Sequence, residues 1–171
     1  MRLTALTVEN FKQFEQVLIT FAPGFTVIKG PNEAGKSSIQ AAILGALFLD
    51  PQRAEQDLTD YIRWGQDQRF QLRIEFEHGD TRYRLGKDFQ AGTLALDWQG
   101  SADGAGGSTR DPATAAGMVA GLLGAASVEA YVNTACIRSD EIGKAPTAGA
   151  PVSQRLQARV TGGRLASADE V

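Results

Sequence analysis

Eight consecutive residues, Gly30-Pro31-Asn32-Glu33-Ala34-Gly35-Lys36-Ser37, constrain this chain more than any other feature. They match G-x-x-x-x-G-K-[ST], a phosphate-binding loop that is expected between an entering strand and a leaving helix. The reason is electrostatic. A triphosphate packs several negative charges at close range, and the loop answers with backbone N–H groups, those of Asn32, Glu33 and Ala34 included, converging on one anion site. Glycine at 30 and 35 permits backbone angles and a close approach that a side chain would block. The helix that follows points its unsatisfied N–H groups and positive dipole end at the same phosphates. Lys36 adds a full positive charge near the β and γ groups and is the candidate catalytic residue, stabilising charge on the transferring phosphoryl group. The Ser37 hydroxyl is the candidate Mg²⁺ ligand, and Ser38 can bond a phosphate oxygen. A chance match in a glycine-containing turn is the competing reading, and the flanks argue against it. Phe25-Thr26-Val27-Ile28 is a short β-rich run without alternation, the pattern of a strand buried on both faces. Lys36 to Leu49 reads as a helix, with Ile39, Ala42, Ile43, Ala46 and Leu47 on one apolar stripe and Pro51 just past its end. The loop alone does not choose between ATP and GTP. The Asn-Lys-x-Asp element of a guanine reader occurs nowhere in the sequence, which favours adenine.

The rest of the chain supplies a domain for this loop. Its 171 residues, 43% hydrophobic and 22% charged, suffice for one domain with a core, or one domain and an appendage. Leu6 and Val8 share a face of a first strand; Val17, Ile19 and Phe21 share a face of a second, with a turn at Asn10 to Phe14. From residue 70 the period becomes two. Phe70, Leu72, Ile74 and Phe76 alternate with polar residues, His78-Gly79-Asp80 is a hairpin turn, and Tyr83 with Leu85, then Leu94, Leu96 and Trp98, give two more antiparallel strands. Gly100 to Asp111 reads as a mobile loop, Pro112 to Leu123 and Val128 to Ile137 as helices, and Val152 to Val160 as a short amphipathic stretch. The single cysteine, Cys136, excludes an internal disulfide framework, and the single histidine, His78, excludes a histidine-rich metal site. The apolar stretch Ala41 to Leu49 is too short to cross a bilayer and no signal peptide is evident, so the expected location is cytoplasmic with no membrane partner. A net charge of −3 announces no nucleic-acid binder. Arg73, Arg82 and Arg84, with Arg69 and Lys87 near the strand ends, offer a local face for phosphates, but Glu75 and Glu77 lie among them, and a solvated mixed-charge surface is the plainer description.

Three segments together resemble the start of SMC-like ABC ATPases, and SbcC-type DNA-repair ATPases above all: Met1 through Val8-Glu9-Asn10-Phe11-Lys12-Gln13-Phe14, Pro23 through Ile28, and Gly30 through Ser38. The resemblance continues at Tyr61-Ile62-Arg63-Trp64-Gly65 and Tyr83-Arg84-Leu85, and resumes at Cys136-Ile137-Arg138-Ser139-Asp140-Glu141-Ile142. It implies an α/β fold: the N-terminal lobe of an ABC-type P-loop NTPase, with a mixed core sheet, an antiparallel β-subdomain and a small helical part. The implied division is residues 1–50 for strands, loop and helix; 51–98 for connector and β-subdomain; 99–111 for a mobile loop; and 112–171 for a helical part leading toward a coiled coil. It places Lys12 and Gln13 near the ribose and phosphates, with a solvated loop lysine as the alternative for Lys12. It brings Arg63 and Trp64 toward the base, Trp64 being otherwise a peripheral core anchor. The family's Q-loop glutamine, a Mg²⁺ contact, aligns with Ser139, a departure; Ser139 is either a shorter-reaching metal ligand or the start of an ordinary loop.

Two elements that hydrolysis requires in this family are missing. Ala46-Leu47-Phe48-Leu49-Asp50 mimics a Walker B strand but lies in phase with the helix, and Val160-Thr161-Gly162-Gly163-Arg164 mimics a signature loop with no Walker B after it. The resemblance therefore implies a separate C-terminal lobe, in the same or a second chain, and a second head bridged by ATP. It further implies DNA as a ligand of the parent protein, and a possible SbcD-type nuclease partner. The expected function is MgATP binding as half of an ATPase head in DNA repair or chromosome maintenance, with no turnover by this lobe alone. Two rival classes stand beside it: a self-sufficient small-molecule kinase, whose lid arginines are poorly represented by Arg110 alone, and a non-hydrolysing DNA-structural protein with a vestigial loop.

Overall fold

The computed structural model describes residues 1–52, 58–63, 65, 67–100, 104–125 and 127–135. Met1–Val128 form one compact unit and Glu129–Val171 a second, whose described part belongs to helix α3 (Val128–Ala135).

In the first unit the alternating runs become strands. β1 (Arg2–Phe11) and β2 (Phe14–Thr20) form a hairpin; β3 (Gln71–His78), β4 (Thr81–Asp88), β5 (Thr93–Gly100) and β6 (Gly106–Thr109) form a meander. The two join edge to edge in one six-stranded sheet of order β2-β1-β3-β4-β5-β6, because β1 also pairs with β3. Every ladder is antiparallel. The α/β class is as expected, with the β-subdomain continuous with the first two strands; the parallel pairing of a mixed core sheet does not occur among the described residues.

Register places Ile19, Leu6, Ile74, Leu85 and Leu96 in one row across the sheet, all on one face. Helix α1 (Lys36–Phe48) covers that face, burying Ile39, Ala42, Ala46 and Leu47. At Gly45 an added Cβ would come within 3.0 Å of Leu72 Cδ1, so glycine lets the helix approach the sheet closely. A fully buried leucine on such a face stabilises by about 1.5–3 kcal/mol, so the row is a main source of cohesion. Phe11, Phe70 and Phe89 close the end of the core, Phe70 stacking on Phe89 at 4.2 Å and meeting Phe11 edge-on at 5.1 Å. Helix α2 (Pro112–Leu123) starts at Asp111, whose carboxylate accepts from the Thr114 backbone N–H at 2.7 Å and the Thr114 hydroxyl at 2.6 Å. Those bonds hold the Asp111 carboxyl below its ordinary pKa. Among the described residues no helix is long and apolar enough to cross a membrane.

Three expectations change. The run Phe25 to Ile28 is in no strand and is not buried: Phe25 is 88% exposed, Val27 59% and Ile28 40%. A strand covered on both faces needs neighbours on both edges, and no described strand pairs with it. The segment expected as a mobile loop contains β6, which Gly106 and Gly107 concealed, since glycine is depleted in strands. Gly107 is needed there because a Cβ would lie 2.5 Å from the Trp98 ring. The third is Lys87. Instead of extending a basic outer face, it shares the inner face with Leu85 and is 6% exposed.

Lys87 Nζ donates to the Leu49 carbonyl at 2.7 Å, at the C-terminal end of α1, where the helix dipole favours a cation. A cavity of about 390 Å³ adjoins it, walled by Pro51, Leu85, Leu94, Ala116 and Val119. Burial pushes the Lys87 pKa from 10.5 down to about 8, with Asp50 opposing in part. Between those two values the unfolded chain holds a proton that the folded chain has released. Stability therefore rises as pH climbs from about 8 to 10.5, and the cost of burying the cation is fully felt below 8. The expected total is on the order of 3 kcal/mol. Denaturant unfolding of wild type and Lys87→Met across that window should differ by this slope, and parallel curves would contradict the burial.

Candidate phosphate-binding site

Residues 30–38 form a loop closed onto the first turn of α1. Glu33 and Gly35 both adopt left-handed backbone, at φ 67 and 95. The Ala34 N–H donates to the Pro31 carbonyl at 3.3 Å, and the Ile39 N–H to the Gly35 carbonyl at 2.9 Å. Gly35 stands at the N-cap, where it offers no side-chain acceptor, and no acidic residue sits in the first turn of α1. The first-turn N–H groups thus keep their affinity for an external anion. Lys36 Nζ folds back over the loop and donates to the Gly30 carbonyl at 2.8 Å and the Pro31 carbonyl at 2.6 Å. The ammonium is held at the rim by neutral acceptors, which an anion displaces more readily than it would a carboxylate.

The β1–β2 hairpin tip reaches this loop. Ser38 Oγ donates to Gln13 Oε1 at 2.9 Å. A Cβ on Gly35 would lie 2.2 Å from Gln13 Nε2 and 2.4 Å from Phe14 Cζ, so glycine is required by space as well as by φ. On its other side the tip is fixed by residues 58–63. The Lys12 N–H donates to the Tyr61 carbonyl at 2.9 Å, the Arg63 N–H to the Asn10 carbonyl at 3.1 Å, and Phe11 bridges to Ile62. Lys12 Nζ lies 5.4 Å above the Tyr61 ring, whose body also stacks on Phe11 at 5.7 Å. Arg63 pairs with Glu15 at 3.2 Å.

The structure therefore brings Gln13 against the loop of Gly30, Asn32, Glu33, Ala34, Gly35, Lys36, Ser37 and Ser38, and joins Lys12 and Arg63 to residues on the other side of the hairpin tip. Trp64 and Ser139 lie outside the described residues. Two contributors have no site role in the sequence reading, although both stand in segments that carry the resemblance. Phe14 packs against Gly35, and Tyr61 carries the cation of Lys12. Their places beside Gln13 and Arg63 in those segments are the signal that points to them. Among the described residues no group of three or more His, Cys, Asp or Glu could hold a metal ion.

The arginines of the outer sheet face are largely neutralised. Arg84 Nε pairs with Glu75 at 2.9 Å and Arg82 Nε with Glu77 at 3.3 Å; Arg2 also pairs with Glu77. That face matches the mixed-charge description.

The chain is similar to several known proteins. The family model described as "AAA domain" matches residues 5–134. A DNA double-strand break repair Rad50 ATPase of Halobacterium salinarum is 31% identical over 149 residues, covering 84% of this chain and 16% of that protein. The corresponding Rad50 ATPase of Pyrococcus abyssi is 31% identical over 56% of this chain and 11% of its own length. A DNA replication and repair protein RecF of Desulforudis audaxviator is 29% identical over 58% of this chain and 27% of its own. The chain thus spans only a minor part of the length of these relatives. A solved chain from work on ATP-driven dimerization and DNA-stimulated activation of SMC ATPases superposes with TM-score 0.55 at 21% identity, covering 94% of this chain and 99% of that one. At that identity the likeness concerns the fold.

Proposed function

The chain belongs to the AAA-domain family as an N-terminal SMC/Rad50-like ABC ATPase lobe, and from that premise we propose that it binds MgATP through residues 30–38 as half of an ATPase head. The observation that carries the reading is the left-handed Gly35 at the uncapped start of α1, with Lys36 held over the loop by carbonyls alone. Backbone N–H groups of Asn32 to Ser38 take the phosphates, Lys36 the β and γ charge, and Ser37 the metal. Lys12 and Gln13 stand toward the ribose and phosphates, and Arg63 and Trp64 are the candidates for the base. Ser139 is the candidate for a further metal contact.

The apolar exposure at Phe25, Val27 and Ile28 supports a second lobe. A β-rich run with bare edges and apolar side chains in solvent is poised to gain strands from another polypeptide surface. That surface would be the C-terminal lobe, bringing the Walker B and signature elements, and ATP would then bridge two heads. DNA repair or chromosome maintenance is the setting that the names of the Rad50 and RecF relatives suggest, with DNA, and an SbcD-type nuclease, as partners of the whole protein. The proposed parts remain residues 1–50, 51–98, 99–111 and 112–171, the last leading toward a coiled coil, in a cytoplasmic, nucleoid-associated protein.

Calorimetric titration, with Trp98 and Trp64 fluorescence as a second signal, tests the reading. Saturable, Mg²⁺-dependent ATP binding with negligible turnover is expected, and turnover should appear when a C-terminal lobe is added. Absence of saturable binding would leave a vestigial loop. Fast turnover by this chain alone, with an acceptor, would make it a kinase.

A further inference from the structure

We propose that Gln13 is a positioning residue for the phosphate loop, acting through the hydroxyl of Ser38. The inference rests on residues 30–38 being a nucleotide-phosphate site, and concerns how that site is kept in shape. Gln13 lies 25 positions before Ser38, and its Oε1 accepts the Ser38 hydroxyl at 2.9 Å. The same carboxamide is packed on the other flank of Lys36 and Ser37, so close to Gly35 that a Cβ there would meet Nε2 at 2.2 Å. One side chain therefore touches both ends of the four residues that matter most for a phosphate.

The support behind Gln13 is itself fixed. Its neighbour Lys12 is left-handed, at φ 52, and bonded through its N–H to Tyr61. Asn10, left-handed at φ 53, accepts from the Arg63 N–H. Residues 58–63 thus brace the hairpin tip from one side while the tip grips the first turn of α1 from the other. A serine hydroxyl has one proton to donate and rotates to suit its partner. Bonded to Gln13, it holds the first turn of α1 in register with the loop before any ligand arrives. Pre-ordering of this kind raises affinity by removing an ordering cost from the binding step. It acts at the phosphate end, so it serves any ligand that the loop grips by phosphate, whether or not a sugar and base are attached.

That last property gives the test. The full chain, as wild type, Gln13→Ala, Ser38→Ala and the double variant, is titrated with MgATP and with magnesium tripolyphosphate. Each single change should weaken both ligands by the same factor, about threefold to tenfold, the worth of one hydrogen bond. The double variant should be no weaker than the worse single, because both remove one contact. Ser38→Thr, which keeps the hydroxyl, should restore binding. Gln13→Met, which keeps the packing on Gly35 without the acceptor, should behave like Gln13→Ala and serves if that variant folds poorly. A loss confined to ATP would make Gln13 a direct sugar or base contact and overturn the proposal, as would multiplicative single effects or none. If wild type binds neither ligand, the phosphate-site reading itself fails and the proposal falls with it.

Discussion

Lys36→Ala is expected to lower MgATP affinity by at least about thirtyfold while leaving the unfolding temperature within a few degrees of wild type. The two halves of that expectation have separate causes. Lys36 is exposed, and its contacts in the ligand-free chain are two hydrogen bonds to loop carbonyls. It occupies the first position of α1, where alanine is at least as good a helix former. Removing it therefore costs the fold little. The bound state is different. There the ammonium faces the β and γ charge of a triphosphate, and its loss removes a charge-assisted contact and leaves the phosphates short of a counter-charge. Contacts of that class contribute about 2–5 kcal/mol when partly desolvated, and every 1.4 kcal/mol is tenfold. Lys36→Arg should recover only part of the affinity, since a planar guanidinium does not fit where a compact ammonium bridges two carbonyls on the loop rim. Wild-type affinity in Lys36→Ala would mean that the nucleotide binds elsewhere.

The sequence made the site's chemistry legible and left its support obscure, for a physical reason. Ile39, Ala42, Ala46 and Leu47 recur at helical spacing and are buried as the stripe predicts, while Ile43 of the same stripe is only half-buried. Leu72, Ile74 and Phe76 alternate, and each faces the core. Such periodicities are local, set by backbone geometry within one element. The Gln13–Ser38 bond, the Phe14 contact at Gly35 and the Tyr61–Lys12 stack join residues that are neighbours only after the chain has turned back. No period records them. Lys87 was legible in principle, because it is two residues from Leu85 and must share its face; its charge argued against what its position required. Phe25 to Ile28 is the opposite case. Its pattern describes burial, and the described chain does not provide it. The pattern is explained if it was selected in the presence of another lobe, which is why this failure of the expectation is itself support for the two-lobe reading.

Gly35→Ala is expected to do what Lys36→Ala does not: lose nucleotide binding and stability together. Gly35 sits at φ 95, where a side chain costs about 1–2 kcal/mol. The added Cβ would also lie 2.2 Å from Gln13 Nε2 and 2.4 Å from Phe14 Cζ. Gln13 is the end of a flexible side chain and can withdraw, at the loss of its Ser38 bond. Phe14 is a ring at the start of β2, paired across the hairpin with Phe11, whose own ring is locked in the aromatic core. Relief at Phe14 must therefore move the hairpin tip or distort the loop. An overpacked site typically costs a further 1–3 kcal/mol, so the unfolding temperature should fall by roughly 5–15 °C. The two causes separate in the double variant Gly35→Ala/Phe14→Ala. Its second change opens the space, so the loop should regain its path and part of its affinity, while the strain of the left-handed backbone persists. Calorimetric unfolding and MgATP titration of both variants read this out. A Gly35→Ala protein with wild-type unfolding temperature and affinity would show that neither the left-handed turn nor the hairpin contact shapes the loop.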